Sequence, residues 1–167
     1  MAVAALPSSR NSQLPKCSGR PLCAVPVNRP SDISEGDHIL YRVNSEEYRP
    51  TYQSALIVST LSEVNFRLIV YAPPPNGVQY RVQKFHKFSS LHKVKYVGGY
   101  SNEEAIDRAK KRLSENHYHG LFNNSHHFIT FAKTGLEYSL TELVHGLQGT
   151  YIEIYIKPGL FNVVNHY

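Results

Sequence analysis

Cysteine is scarce in this chain, and acid is missing from its N-terminal end. Only Cys17 and Cys23 occur, with five residues between them and no second pair. That spacing matches neither a zinc ribbon nor a disulfide framework, so both are expected to be reduced thiols. No acidic residue precedes Asp32, whereas Arg10, Lys16, Arg20 and Arg29 do, so the first 31 residues carry +4 of the net +5. The remaining 136 residues hold 14 basic and 13 acidic side chains. The basic pI is therefore a property of one segment, which makes a nucleic-acid-binding domain an unlikely use of the fold. No run reaches about 18 apolar residues, and the N-terminus has neither a basic leader nor an apolar stretch of signal-peptide length. These absences point to a soluble, cytoplasmic protein, in contact with membranes only peripherally if at all.

Residues 1–31 hold five of the ten prolines and no aromatic residue. Such a segment buries too little surface to offset chain entropy, so it is expected to be a disordered basic tail, with one domain over residues 32–167. From Ile33 the character changes. His38 to Val43, Tyr52 to Thr60, Val64 to Ala72, Val78 to Phe85 and Lys93 to Val97 are short runs rich in Val, Ile, Tyr and Phe. Turn-forming residues separate most of them, among them Pro73-Pro74-Pro75-Asn76-Gly77, so they predict successive antiparallel strands.

A helical pattern begins at Ser101, which with Glu104 forms a capping box ahead of Ile106, Ala109 and Leu113. Asn123 or Asn124 can cap a second helix that runs through Phe128, Phe131 and Ala132 to a stop at Gly135. Ser139 and Glu142 repeat the box before a third helix through Leu147. Ile152, Ile154 and Ile156 then alternate as a closing strand. The expected class is α+β, an antiparallel sheet of five to six short strands on about three helices.

Five segments, in order, resemble the lecithin retinol acyltransferase (LRAT) domain family. Glu35-Gly36-Asp37-His38-Ile39 is similar to its opening E-G-D-H-I. Tyr52-Gln53-Ser54-Ala55-Leu56-Ile57-Val58 is similar to its Y-x-H-x-x-I/V-V strand, and Arg67-Leu68-Ile69-Val70-Tyr71 stands where V-I-H-Y is found. Leu121-Phe122-Asn123-Asn124-Ser125-His126-His127-Phe128 resembles L-F-N-N-C-E-H-F, and Lys133-Thr134-Gly135 closes the same helix. The resemblance covers about residues 34–136 and implies a permuted papain-like fold, with a cysteine at a helix N-terminus facing two strand histidines. A thiol so placed has a lowered pKa, and histidine supplies base and acid for acyl transfer through a thioester.

Carried over residue by residue, the nucleophile position is Ser125, the base position is Ser54 and the orienting position is Val70. The frame residues Gly36, Tyr52, Asn123, Asn124, His127, Phe128 and Gly135 are kept, so the loss falls selectively on the site. The resemblance thus implies a catalytically inactive binding or scaffold module for a lipid or a protein partner. The alternative is a residual acyltransferase or phospholipase using Ser125. Its neighbours His126 and His127 are expected to point away from it, so a base would have to come from another element, such as His38 or His86. Family members acting on membranes usually carry an apolar C-terminal helix, and Phe161 to Tyr167 supplies none.

Four histidines, His117, His119, His126 and His127, are close in sequence. No cysteine or carboxylate completes a ligand set with them, so neither a metal nor another cofactor is expected. Between Glu63 and Glu103 there is no acid, and Arg81, Lys84, Lys87, Lys93 and Lys95 form a candidate binding surface for an anionic lipid.

Overall fold

A computed structural model of the chain describes residues 22–43, 51–120, 122–137 and 152–153. The strands are β1 (Leu22–Pro26), β2 (His38–Val43), β3 (Thr51–Thr60), β4 (Asn65–Ala72), β5 (Gly77–Lys84), β6 (Leu91–Tyr96) and β7 (Ile152–Glu153). They form one sheet in the order β5-β4-β3-β2-β6-β1-β7, antiparallel throughout. Two helices, α1 (Asn102–Lys110) and α2 (Ser125–Thr134), pack together and on the sheet. The expected α+β class and five internal strands are present within a residue or two of their predicted ends. The predicted third helix, Ser139 to Leu147, lies outside the described residues.

Both faces of the central strands are buried. Leu56, Ile69, Tyr71 and Val78 meet Ala109, Phe128, Ile129 and Ala132 of the helices. On the other face Ile39, Tyr41, Ala55, Ile57, Leu68 and Val70 pack with Val27, Ile33, Phe85 and Leu91. Double burial explains why β4 reads Leu68-Ile69-Val70-Tyr71-Ala72 without a polar break, since neither face of that stretch meets water.

The N-terminal boundary requires correction. Residues 22–31 are part of the domain, because β1 pairs with both β6 and β7 and sits inside the sheet. Leu22, Cys23, Ala24, Val25 and Val27 are all buried. Cys23 is corrected as well: it is disulfide-bonded, not a reduced thiol. A lone close pair falls outside the multi-bridge frameworks, but nothing in its spacing prevents a single bridge. The chain's other cysteine, Cys17, lies outside the described residues.

Three clasps set the helices. The capping box at α1 is formed as expected, with Ser101 Oγ accepting from the Glu104 amide at 3.2 Å and Glu104 Oε2 from the Ser101 amide at 2.9 Å. Lys133 of α2 is buried and donates to Gly36 O at 2.9 Å and to Asn102 Oδ1 at 2.7 Å, tying both helices to the turn before β2. Gly36 is required there: its φ is +81°, and a Cβ would stand 2.6 Å from the Asn102 Cα. The chain entering α2 is fixed by Asn123, whose Nδ2 donates to His117 O at 2.8 Å and to Tyr71 Oη at 3.2 Å. Gly135, at φ +80°, ends α2 with its amide on Phe131 O at 2.8 Å.

Candidate functional site

Register decides which side chains meet. Ser54 lies opposite Leu40, and His38 opposite both Leu56 and Val94, which puts His38 and Ser54 on the helix-covered face. At the start of α2, Asn124 turns the chain inward: its Oδ1 accepts from the amides of His126 at 2.9 Å and His127 at 3.3 Å. The first turn is thereby pressed onto β3, with Ser54, Ser125, His126 and His127 all buried.

The result is a linear hydrogen-bonded chain centred on the Ser54 hydroxyl. His38 Nε2 and His126 Nδ1 each lie 2.7 Å from Ser54 Oγ, and His38 Nδ1 lies 2.5 Å from the Tyr96 hydroxyl. A hydroxyl has one proton to donate, and a neutral imidazole has one N–H. Ser54 Oγ can donate to one ring while accepting from the other, or accept from both, so at most one of the two imidazoles takes its proton.

Electrostatics favours the neutral forms. Burial pushes the pKa of His38 well below that of free imidazole, with His126 and the Lys133 ammonium acting in the same direction. Burial also drives His126 from 6.5 down to about 4, reinforced by His127. His127 and His92 are lowered by burial too. No carboxylate offsets these shifts.

Ser125 takes little from this arrangement. Among the described residues its Oγ has one hydrogen bond, accepted from the Ser54 amide at 3.3 Å, and no imidazole bonds to it. The amides of His126 and His127 are held by the Asn124 cap. Ser54 is fully buried and Ser125 is 5% exposed. The positions matched to nucleophile and base thus touch each other, and both are buried.

The three carried-over site positions separate. Ser54 and Ser125 come together, but Val70 pairs with Ala55 and packs on the opposite face of the sheet among Ala55, Ile57 and Leu68. Its expected place beside Ser125 is corrected: alternation along a strand turns residue 55's row away from residue 54's. His38, offered only as a possible base for Ser125, instead bonds Ser54. His126 does point away from Ser125, directly onto Ser54. Sequence reasoning missed this shared hydroxyl, although the opposed faces of the two residues after the helix start were legible.

The basic residues also divide. Arg81, Lys84 and Lys87 line one groove, together with Arg42 and His86. Lys93 is elsewhere and engaged, donating to Asp32 O at 2.5 Å and to Asp37 Oδ2 at 3.2 Å. Lys95 pairs across from Cys23, on β6, and is not in the groove. Among the described residues no three His, Cys, Asp or Glu side chains cluster to hold a metal, and no helix is long and apolar enough to cross a membrane. Comparison with known proteins gives no match: no family model, no curated protein and no solved structure matches the chain.

Proposed function

We propose that the chain is a degenerate LRAT-like domain, catalytically inactive, that serves as a binding module for an anionic lipid or a protein partner. One observation carries the loss of catalysis: His38 and His126 are spent on the Ser54 hydroxyl and His127 on Asn124, which leaves Ser125 without a base. A hydroxyl needs such a base, because a helix N-terminus contributes only about 1 kcal/mol toward its ionisation. The frame positions shared with the family have structural duties here, Gly36 in a left-handed turn, Asn124 as a cap and Gly135 as a helix stop, which supports the resemblance. Val70 on the far face counts against it at that position. The disulfide at Cys23 is a feature of oxidising compartments and counts against a purely cytosolic setting.

The competing reading is residual acyl transfer or phospholipid hydrolysis through Ser125. Purified protein incubated with phosphatidylcholine or an activated ester is expected to gain no acyl mass and to release no product above the uncatalysed rate. Turnover that disappears in Ser125→Ala would overturn the inactive reading.

A further inference from the structure

The groove that gathers Arg81, Lys84 and Lys87 lies on the sheet face away from the helices. β5 and β2 are separated by two strands in the sheet, yet Arg81 Nη1 reaches Tyr41 Oη at 3.5 Å, so the sheet curls over this face. Tyr41, Arg42 and Val43 form one wall, Arg81, Gln83 and Lys84 the other. The segment from Phe85 to Lys87 closes the end of a cavity of about 280 Å³. Arg42, Arg81, Lys84 and Lys87, from two strands and a loop, line this volume, and among the described residues no carboxylate lines it. None of the four is ion-paired among the described residues, in contrast to Lys93 with Asp37 and Arg112 with Glu115. Like charges held together without counter-charges raise the local potential and favour an anion of high charge density.

We infer that this groove binds a compact polyanion bearing phosphomonoester groups, of the size of an inositol trisphosphate. The inference rests on the reading of the domain as a binding module and gives that module its site and ligand class. Three features select this chemistry. The volume, about 280 Å³, is just below the range of small-molecule sites, about 300–1,000 Å³, and suits one headgroup better than an extended acidic peptide. Guanidinium groups match phosphate oxygens in fork geometry, while lysines add point charge. Of the rings in the groove, Tyr41 and Phe85 are buried at 5% and 7% exposure, which leaves the single exposed ring of His86 and no platform for successive single-stranded nucleic-acid bases. A free sugar phosphate and a lipid headgroup share this chemistry.

Titration calorimetry with soluble inositol 1,4,5-trisphosphate tests the site on the full chain. Micromolar binding is expected, weakened about tenfold or more in Arg81→Gln/Lys84→Gln and by less than about threefold in Lys110→Gln/Lys111→Gln, which removes the same charge from the end of α1 and its C-cap. Lys87→Gln, an exposed change, should weaken binding without altering the melting curve, should the double variant prove unstable. Sedimentation with phosphatidylcholine vesicles, with and without phosphatidylinositol 4,5-bisphosphate, separates the sources. Binding only to the doped vesicles as well as to the soluble probe assigns the lipid, and binding to the soluble probe alone assigns a free phosphate. No binding of the soluble probe, equal loss in both double variants, or tighter binding of single-stranded RNA would each overturn the inference. The ester assay uses none of these residues, so failure of the groove and failure of the inactive reading are distinguishable.

Discussion

Removing residues 1–31 is expected to unfold the domain. β1 is an internal strand whose loss exposes the full edges of β6 and β7 and takes away three large buried side chains, Leu22, Val25 and Val27. Each such side chain contributes about 1.5–3 kcal/mol on burial. Val27 also donates its amide to Leu91 O at 3.0 Å, which anchors the strand end to β6. Their sum approaches the whole stability of a typical domain, about 5–15 kcal/mol. Circular dichroism of the truncated chain should show loss of cooperative melting. Leu22→Ala alone should cost about 2–5 kcal/mol in urea. Limited proteolysis should leave a core that begins at or before Leu22. A truncated protein that melts within a few degrees of the full chain would show that β1 is dispensable.

The strand is hard to read because Leu22-Cys23-Ala24-Val25 is short, lies between Pro21 and Pro26, and has no alternation. A strand buried on both faces has no reason to alternate, so its sequence resembles a few scattered apolar residues in a proline-rich tail. The aromatic and β-branched runs of β2 to β6 were legible because they are longer and end in turn residues. The caps at Ser101 and Asn124 were legible because each is a local chemical arrangement. Facing between strands was not, because it depends on register: Ser54 and Val70 meet or miss according to a one-residue difference that no local pattern fixes. The shared Ser54 hydroxyl is likewise a product of three elements distant in the chain, β2, β3 and α2. The groove combined a legible charge run with an unforeseeable fold, since Lys93 and Lys95 belong to the run but leave the site.

Acidification is expected to destabilise the protein well before its carboxylates titrate. His126 is held at about 4 in the folded chain against 6.5 when free, a gap of about 2.5 pH units worth about 3 kcal/mol. The unfolded chain takes up the proton first. The stability contributed by this neutral ring is therefore present above about pH 6.5 and is lost as the pH falls toward about 4. His38, His92 and His127 are lowered in the same direction and add to the loss. Glu115, held low by its bond with Arg112, loses its contribution only at more acidic pH. Urea unfolding at about pH 7.5 and about pH 4.5 should differ by about 3 kcal/mol or more. His126→Gln, which keeps a hydrogen-bonding partner for Ser54 but cannot titrate, should flatten part of that dependence. Equal stability at the two pH values would mean that the rings are not buried in neutral form.

Nuclear magnetic resonance titration of the histidine rings tests the central claim most directly, because a base available to Ser125 and a ring sealed against Ser54 ionise differently. The account predicts that His126 remains neutral to below about pH 5 and that His38 titrates well below free imidazole, each with one ring nitrogen protonated in a single fixed tautomer. Titration of either ring near 6.5, with free exchange between tautomers, would contradict it and would return His38 or His126 to the role of a working base.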